Sequence, residues 1–165
     1  MKKVLAVALI AVVALLLTSA GALAAPSNGP KIIKCDQFIA LYASDGNDIH
    51  WRGNLSNCVL DGADVHYYGS TTKAGWGSGK VAHFYEDFVI YPKTGGYIKG
   101  YDDGLWNFGT TWKFRSEGRV TEASSEWSYL VGYKFHEMGT TDDLNLLPED
   151  WTIIKGPSTM FLAGP

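Results

Sequence analysis

The sequence predicts an all-β fold, a single antiparallel β-barrel preceded by a helical signal peptide. Three observations carry this. Beyond residue 24, apolar residues recur at every second position in short runs, the period of a half-buried strand, and a sustained helical period is hard to find. The runs are rich in β-branched and aromatic residues and are punctuated by Gly, Asp, Asn and Ser, the residues of tight turns. All 6 Trp, 9 Tyr and 7 Phe lie in that part, far more apolar bulk than a disordered chain carries. A chain of 165 residues is one domain's worth. Its division reads as 1–24 signal peptide, 25–30 flexible leader and 31–165 barrel.

Lys2 and Lys3 precede an unbroken apolar run from Val4 to Leu17, followed by small residues through Ala25. That is the composition of a secretory signal peptide. Ala22 and Ala24 meet the small-x-small rule for cleavage after Ala24, with Ala25 as the second choice. The run is shorter than the roughly 20 residues that span a bilayer, so no stable membrane span is expected after processing. The expected location is secreted or periplasmic.

Ile32 to Ala43 and Val59 to Tyr68 read as strands that bracket an Asp45-Gly46-Asn47-Asp48 turn, although Phe38 to Tyr42 also fits a helical turn. Cys35 and Cys58, the two cysteines of an exported chain, are expected to form one disulfide, with a reactive free thiol as the alternative. Asn54-Leu55-Ser56 matches a glycosylation sequon, a pattern that also arises by chance. Gly75-Trp76-Gly77-Ser78-Gly79 reads as a turn into a strand. Val81 to Tyr91 is the clearest strand: Ala82, Phe84, Glu86, Phe88 and Ile90 share one face. Pro92 to Gly96 then forms a five-residue hairpin loop, and the chain resumes at Tyr97 to Tyr101, with Gly100 and Gly104 marking a bulge or a sharp coil of the sheet.

A shorter hairpin is expected next, Thr110 to Arg115 and Arg119 to Ala123 around a Ser116-Glu117-Gly118 turn. Trp127 to Glu137 reads as a second strong strand with Trp127, Tyr129, Val131, Tyr133 and Phe135 on one face and Glu137 at its rim. Gly139 to Asp150 is an acidic loop with room for a short helix before Pro148. Trp151 to Lys155 and Thr159 to Leu162 close the chain as strand pieces.

The formal charge is −3 and becomes more negative once Lys2 and Lys3 leave, with no basic run, so nucleic acid is not an expected partner. His50, His66, His83 and His136 are scattered one per strand or loop. His136-Glu137-Met138 lacks the second histidine of a zinc hydrolase, and position six of the Asp45 loop is His50 where a calcium loop needs glycine. No metal and no cofactor are expected. A G-x-S-x-G elbow and a phosphate-binding loop are missing as well. Trp51, Trp76, Trp106, Trp112, Trp127 and Trp151 suit either core filling or stacking on a sugar or lipid.

Glu86 breaks its own pattern, a carboxylate between Phe84 and Phe88 on an apolar face. Three roles are open to it: a functional group in a cavity, a partner for a cation such as Arg115 or Arg119, or an inward charge that protects an edge strand.

Gly77-Ser78-Gly79 entering a long strand, the Gly95-Gly96 hairpin and Gly104-Leu105-Trp106-Asn107-Phe108 before short antiparallel strands together resemble the layout of allene oxide cyclase and dirigent-type barrels over residues 77 to 139. Calycin-like barrels, lipocalins included, share such punctuation. The resemblance implies a barrel with a cavity, used in the relatives for cyclising a fatty-acid epoxide or steering radical coupling; none of their catalytic motifs can be placed on residues of this chain.

The function expected is therefore non-catalytic binding of a small apolar or sugar-like ligand or of a surface component, with Glu86, Trp106, Trp112, Trp127 and Tyr129 as candidate ligand contacts. The alternative is a cyclase or isomerase with Glu86 as the acid or base in the lumen. Oligomeric state is left open.

Overall fold

The computed structural model describes residues 29–45, 48–72, 81–108, 112–141 and 155–164. The first 28 residues, the Gly75 to Gly79 run with Trp76, positions 46–47 of the first turn, positions 142–150 of the acidic loop, and Trp151 lie outside them. Eight strands close a barrel: β1 (Ile32–Asp45), β2 (Asp48–Ser56), β3 (Asp64–Thr71), β4 (Val81–Tyr91), β5 (Ile98–Phe108), β6 (Trp112–Ala123), β7 (Lys134–Thr141) and β8 (Lys155–Ala163). Each pairs antiparallel with the next, and β8 returns to pair with β1. The all-β expectation and the single antiparallel barrel therefore hold, and the barrel has no edge strand.

Period-two alternation does the sorting. On β4, Ala82, Phe84, Glu86, Phe88 and Ile90 face inward and are buried, while Val81, His83, Tyr85, Asp87 and Tyr91 face outward. On β6 the inward set is Trp112, Phe114, Ser116, Gly118 and Val120. Outward positions carry Arg52, Asp87, Asp103, Lys113, Arg115, Glu117 and Arg119. Apolar inside and charged outside is the reverse of the pattern a lipid-facing barrel needs.

One end of the barrel is sealed. The β2–β3 connection buries Leu60, and Cys58 within it bridges to Cys35 on β1 with Cα atoms 5.0 Å apart, the disulfide expected from the two cysteines. Asn57 takes a left-handed conformation (φ 58°) in this turn, which Asn tolerates better than most residues, and its backbone N–H donates to Asp61 Oδ1 at 3.0 Å. Beside it, a 3-10 helix at Ser125–Leu130 presses Trp127 and Leu130 onto the core.

Several expected elements are redrawn. Trp127 to Glu137 is not one strand: Trp127 and Leu130, three apart, share the buried face of a 3-10 turn, and Gly132 (φ 91°) reverses the chain before β7 begins at Lys134. The alternating aromatics there fitted two periods at once. Glu137 consequently sits in the middle of β7 and not at a rim. The Ser116-Glu117-Gly118 turn is instead the centre of a continuous β6, because alternation runs through it without a break. β2 was not foreseen, although Ile49, Trp51, Gly53 and Leu55 alternate inward. β3 starts at Asp64, not Val59, which is exposed in the preceding turn. Phe38 to Tyr42 lies within β1, and β8 is a single strand. Gly100 does sit at an irregularity, since the β5–β6 register shifts between Lys99 and Gly100; Gly104 instead makes room for the Phe84 ring, whose Cζ would lie 2.2 Å from an added Cβ.

Candidate functional site

Halfway along the barrel the apolar lining gives way to a polar belt. Gln37 of β1, Tyr67 of β3, Glu86 of β4, Asp102 of β5, Ser116 of β6, Glu137 of β7 and Ser158 of β8 all point inward and are buried. Strand β2 supplies Gly53 there. Register assembles the belt: Glu86 stands opposite Asp102, Ser116 opposite Glu137, and Gln37 opposite Ser158. Glycines give the side chains room, for a Cβ at Gly69 would lie 2.5 Å from Glu86 Cγ. Tyr67 Oη lies 3.0 Å from Gln37 Nε2 and 3.1 Å from Gln37 Oε1, so these two satisfy each other.

The carboxyls are not so provided. Among the described residues, Glu86 Oε1, Glu137 Oε1, both carboxyl oxygens of Asp102 and the hydroxyls of Ser116 and Ser158 have no hydrogen-bond partner. Arg115 and Arg119, the cations expected for Glu86, are on the outward face of β6, so neither pairs with it. Burial pushes Glu86 well above the ordinary carboxylate range, and the charges of Asp102 and Glu137 add to the push. Asp102 rises to about 7, chiefly by burial; Ser116 draws it back, while Asp103 and Asp87 raise it. Glu137 rises to about 8 by burial and by Asp102, against Ser158 and Tyr67. These hydroxyl contacts moderate the shifts, while the orphaned oxygens remain without a hydrogen bond among the described residues. At neutral pH the belt therefore holds protons.

Above the belt, Trp106 is the centre of an aromatic layer, with ring centroids 4.8 Å from Trp51, 5.8 Å from Phe84, 5.8 Å from Phe114 and 6.4 Å from Trp112. Below it, Phe88 stacks on Phe135 at 4.4 Å. The cavity bounded by Ile39, Trp51, Tyr67, Phe84, Glu86, Trp106, Phe114 and Glu137 leaves about 10 Å³ for the centre of a water molecule. That is room for one water.

The expected ligand contacts thus fall into separate places. Glu86 and Trp106 line the small lumenal cavity, and Trp112 packs beside Trp106. Trp127 and Tyr129, 6.2 Å apart, cover the sealed end, where Trp127 Nε1 donates to the Gly95 carbonyl at 3.3 Å. Asp102 was missed because its inward neighbours on β5 are Gly100 and Gly104, which show no apolar phase; the spacing from Ile98 to Trp106 held the signal.

The outer wall offers a second arrangement. Across β2 to β6 one cross-strand row reads His50, Tyr68, Asp87, Tyr101, Arg119. The adjoining row reads Ser70, Tyr85, Asp103, Glu117. Tyr68, Tyr85 and Tyr101 are 46%, 49% and 37% exposed, and the rings of Tyr85 and Tyr101 lie within 21° of parallel. Rings therefore alternate with carboxylates over a continuous patch of sheet.

No known protein family, curated protein or solved structure matches this chain.

Proposed function

We propose that the chain is an exported, non-catalytic binding protein that takes a carbohydrate on the outer face of β3, β4 and β5. The observation that carries this reading is the exposed Tyr68-Asp87-Tyr101 row with Tyr85 and Asp103 beside it. Sugars present C–H faces that pack on tyrosine rings and hydroxyls that donate to carboxylates, so alternating rings and acids match both halves of the ligand. Tyrosine also brings large contact area at low conformational-entropy cost. The filled lumen supports the same choice, because pockets for small molecules run to roughly 300 Å³ or more and about 10 Å³ is present.

Export is proposed from residues 1–24, with the mature chain beginning at Ala25, and the Cys35–Cys58 bridge is in keeping with an oxidising compartment. The finer classification, calycin-like or allene oxide cyclase-like, is supported by the eight-strand meander and the Gly95-Gly96 hairpin. N-terminal sequencing of exported protein tests the processing, and retention of Met1 refutes it. For binding, the mature chain is co-sedimented with cellulose, chitin and peptidoglycan and screened on soluble glycans. Tyr85→Ala/Tyr101→Ala is expected to lose at least about tenfold in affinity, with Glu86→Gln unaffected. No binding to any glycan, or undiminished binding by the double variant, overturns the reading.

A second reading rests on Glu86 Oε1 and Glu137 Oε1, unpartnered in one aromatic-lined cavity. Carboxylic acids that hold protons near neutral pH suit general-acid catalysis of a cyclisation or isomerisation, and the substrate would have to displace Trp106. Protection of lumenal tryptophan fluorescence by an apolar ligand, abolished by Glu86→Leu together with any turnover, is its test; protection without turnover refutes it.

A further inference from the structure

His50 and His66, isolated in the sequence, meet on the outer wall. In the β2–β3 register His50 is opposite Tyr68 and Arg52 is opposite His66, so the two histidines are diagonal neighbours on one face. His50 Nε2 lies 3.3 Å from His66 Nδ1. Tyr68 holds the pair in place: its ring stacks on His50 at 4.2 Å and 23°, and its Oη is 3.2 Å from the same Nδ1 of His66. Tyr91 packs edge-on against His66 at 5.7 Å.

Two nitrogens bound to one zinc ion at 2.0–2.1 Å and a tetrahedral angle are about 3.3–3.4 Å apart. The separation of the nitrogens meets that requirement; the ring centroids lie 5.6 Å apart, which sets the two nitrogens nearly in line, so each ring turns about its Cβ–Cγ bond to aim its lone pair at a shared ion. A right-angled pair on square-planar copper needs roughly 2.8 Å, which requires the strands or rings to close. Among the described residues no group of three or more His, Cys, Asp or Glu sits at ligand spacing, so a closed structural zinc centre is not what the residues form. What they form is an open, two-imidazole chelate with positions left for water or an external donor.

We propose that His50 Nε2 and His66 Nδ1 bind one zinc-class divalent ion on the outer wall of the barrel, with the Tyr68 ring stacked on His50 and the Tyr68 hydroxyl leaving His66 Nδ1 for solvent as the ion takes that position. Ligation needs neutral imidazoles. Without metal, one ring donates an N–H to the other across the 3.3 Å gap; ligation moves that proton to the ring's remaining nitrogen. This site adjoins the face of the glycan reading and shares Tyr68 with it, but its ligands, His50 and His66, are not among the residues tested for glycan binding.

The test is calorimetric titration of the mature chain with Zn²⁺, together with the visible spectrum of the Co²⁺ complex, which reports four-coordinate geometry. One ion per chain is expected. Loss of an outer-shell partner already costs tenfold or more in metal affinity, so His50→Gln and His66→Gln, each removing a ligand, are expected to weaken binding at least about tenfold. His83→Gln/His136→Gln is expected to bind as wild type. Zinc should raise the melting temperature of wild type and not of His66→Gln. Absence of uptake up to about 1 mM Zn²⁺, or equal affinity in His66→Gln and wild type, overturns the site.

Discussion

Glu86 and Asp102 face each other directly across the β4–β5 pair, both inside the barrel, 4% and 0% exposed. Two carboxylates at adjacent positions on one sheet face cannot both ionise in a buried lumen without a cation, and the cations of neighbouring β6 point outward. Glu137 joins them across the lumen and raises Glu86 further. Protonation is the cheapest compensation the fold has, and it makes the core responsive to pH.

Stability should therefore fall as pH rises. Unfolded Asp and Glu titrate near about 4, whereas folded Asp102 titrates at about 7 and Glu137 at about 8, with Glu86 also raised. Between those limits the folded chain holds more protons than the unfolded chain, so the stabilisation is complete below about pH 4 and lost as pH climbs through the folded values. Each group contributes on the order of 1 kcal/mol per pH unit in that window. Urea midpoints should be higher at about pH 5 than at about pH 8.5; equal or reversed midpoints would show that the belt is already charged or hydrated.

Glu86→Gln isolates one member of the belt. The amide keeps the shape and cannot ionise, so at about pH 8.5 it should stabilise the protein by about 1 kcal/mol or more, and at about pH 5 change it little. Destabilisation beyond about 1 kcal/mol at both pH values would mean that the carboxylate has a charged partner after all.

How far the sequence discloses this site depends on what marks the strand phase. On β4, Phe84, Phe88 and Ile90 mark it, so Glu86 is legible as an inward carboxylate. On β5 glycines occupy the positions flanking Asp102, and the phase has to be carried over four residues from Ile98 or back from Trp106. The alternation gives Glu137 its correct face but the wrong depth, because a strand starting at Trp127 begins seven residues before β7 does. The His50–His66 contact is not in the sequence at all: it depends on the β2–β3 register, which is set by the turn holding Asn57 and Gly62 at positive φ.

The disulfide should matter in proportion to the loop it closes. Cys35 and Cys58 are 23 residues apart, for which the chain-entropy model gives about 3 kcal/mol. Cys35→Ala/Cys58→Ala should lose about that much in a denaturant titration, with the β-type circular dichroism retained. A loss under about 1 kcal/mol would place the constraint elsewhere in the sealed end, on the Trp127 and Leu130 contacts.

Gly118 separates the continuous strand from the hairpin turn that the Ser116-Glu117-Gly118 triplet suggests. In a turn, glycine would serve a left-handed conformation, and asparagine would replace it better than alanine. In the barrel Gly118 is instead crossed closely by β5: an added Cβ would lie 1.8 Å from the Tyr101 carbonyl oxygen and 2.7 Å from Asp102 Cα. Both are backbone atoms, so no side-chain rotation relieves the overlap, and the two strands must part beside the polar belt. Gly118→Ala is expected to cost about 2–3 kcal/mol, and Gly118→Asn at least as much, because every side chain begins with the same Cβ. Separation of β5 from β6 also admits water to Asp102, so the pH dependence should flatten in Gly118→Ala. Chemical denaturation of both variants at two pH values checks this. A well-tolerated asparagine beside a damaging alanine would restore the turn and refute the strand.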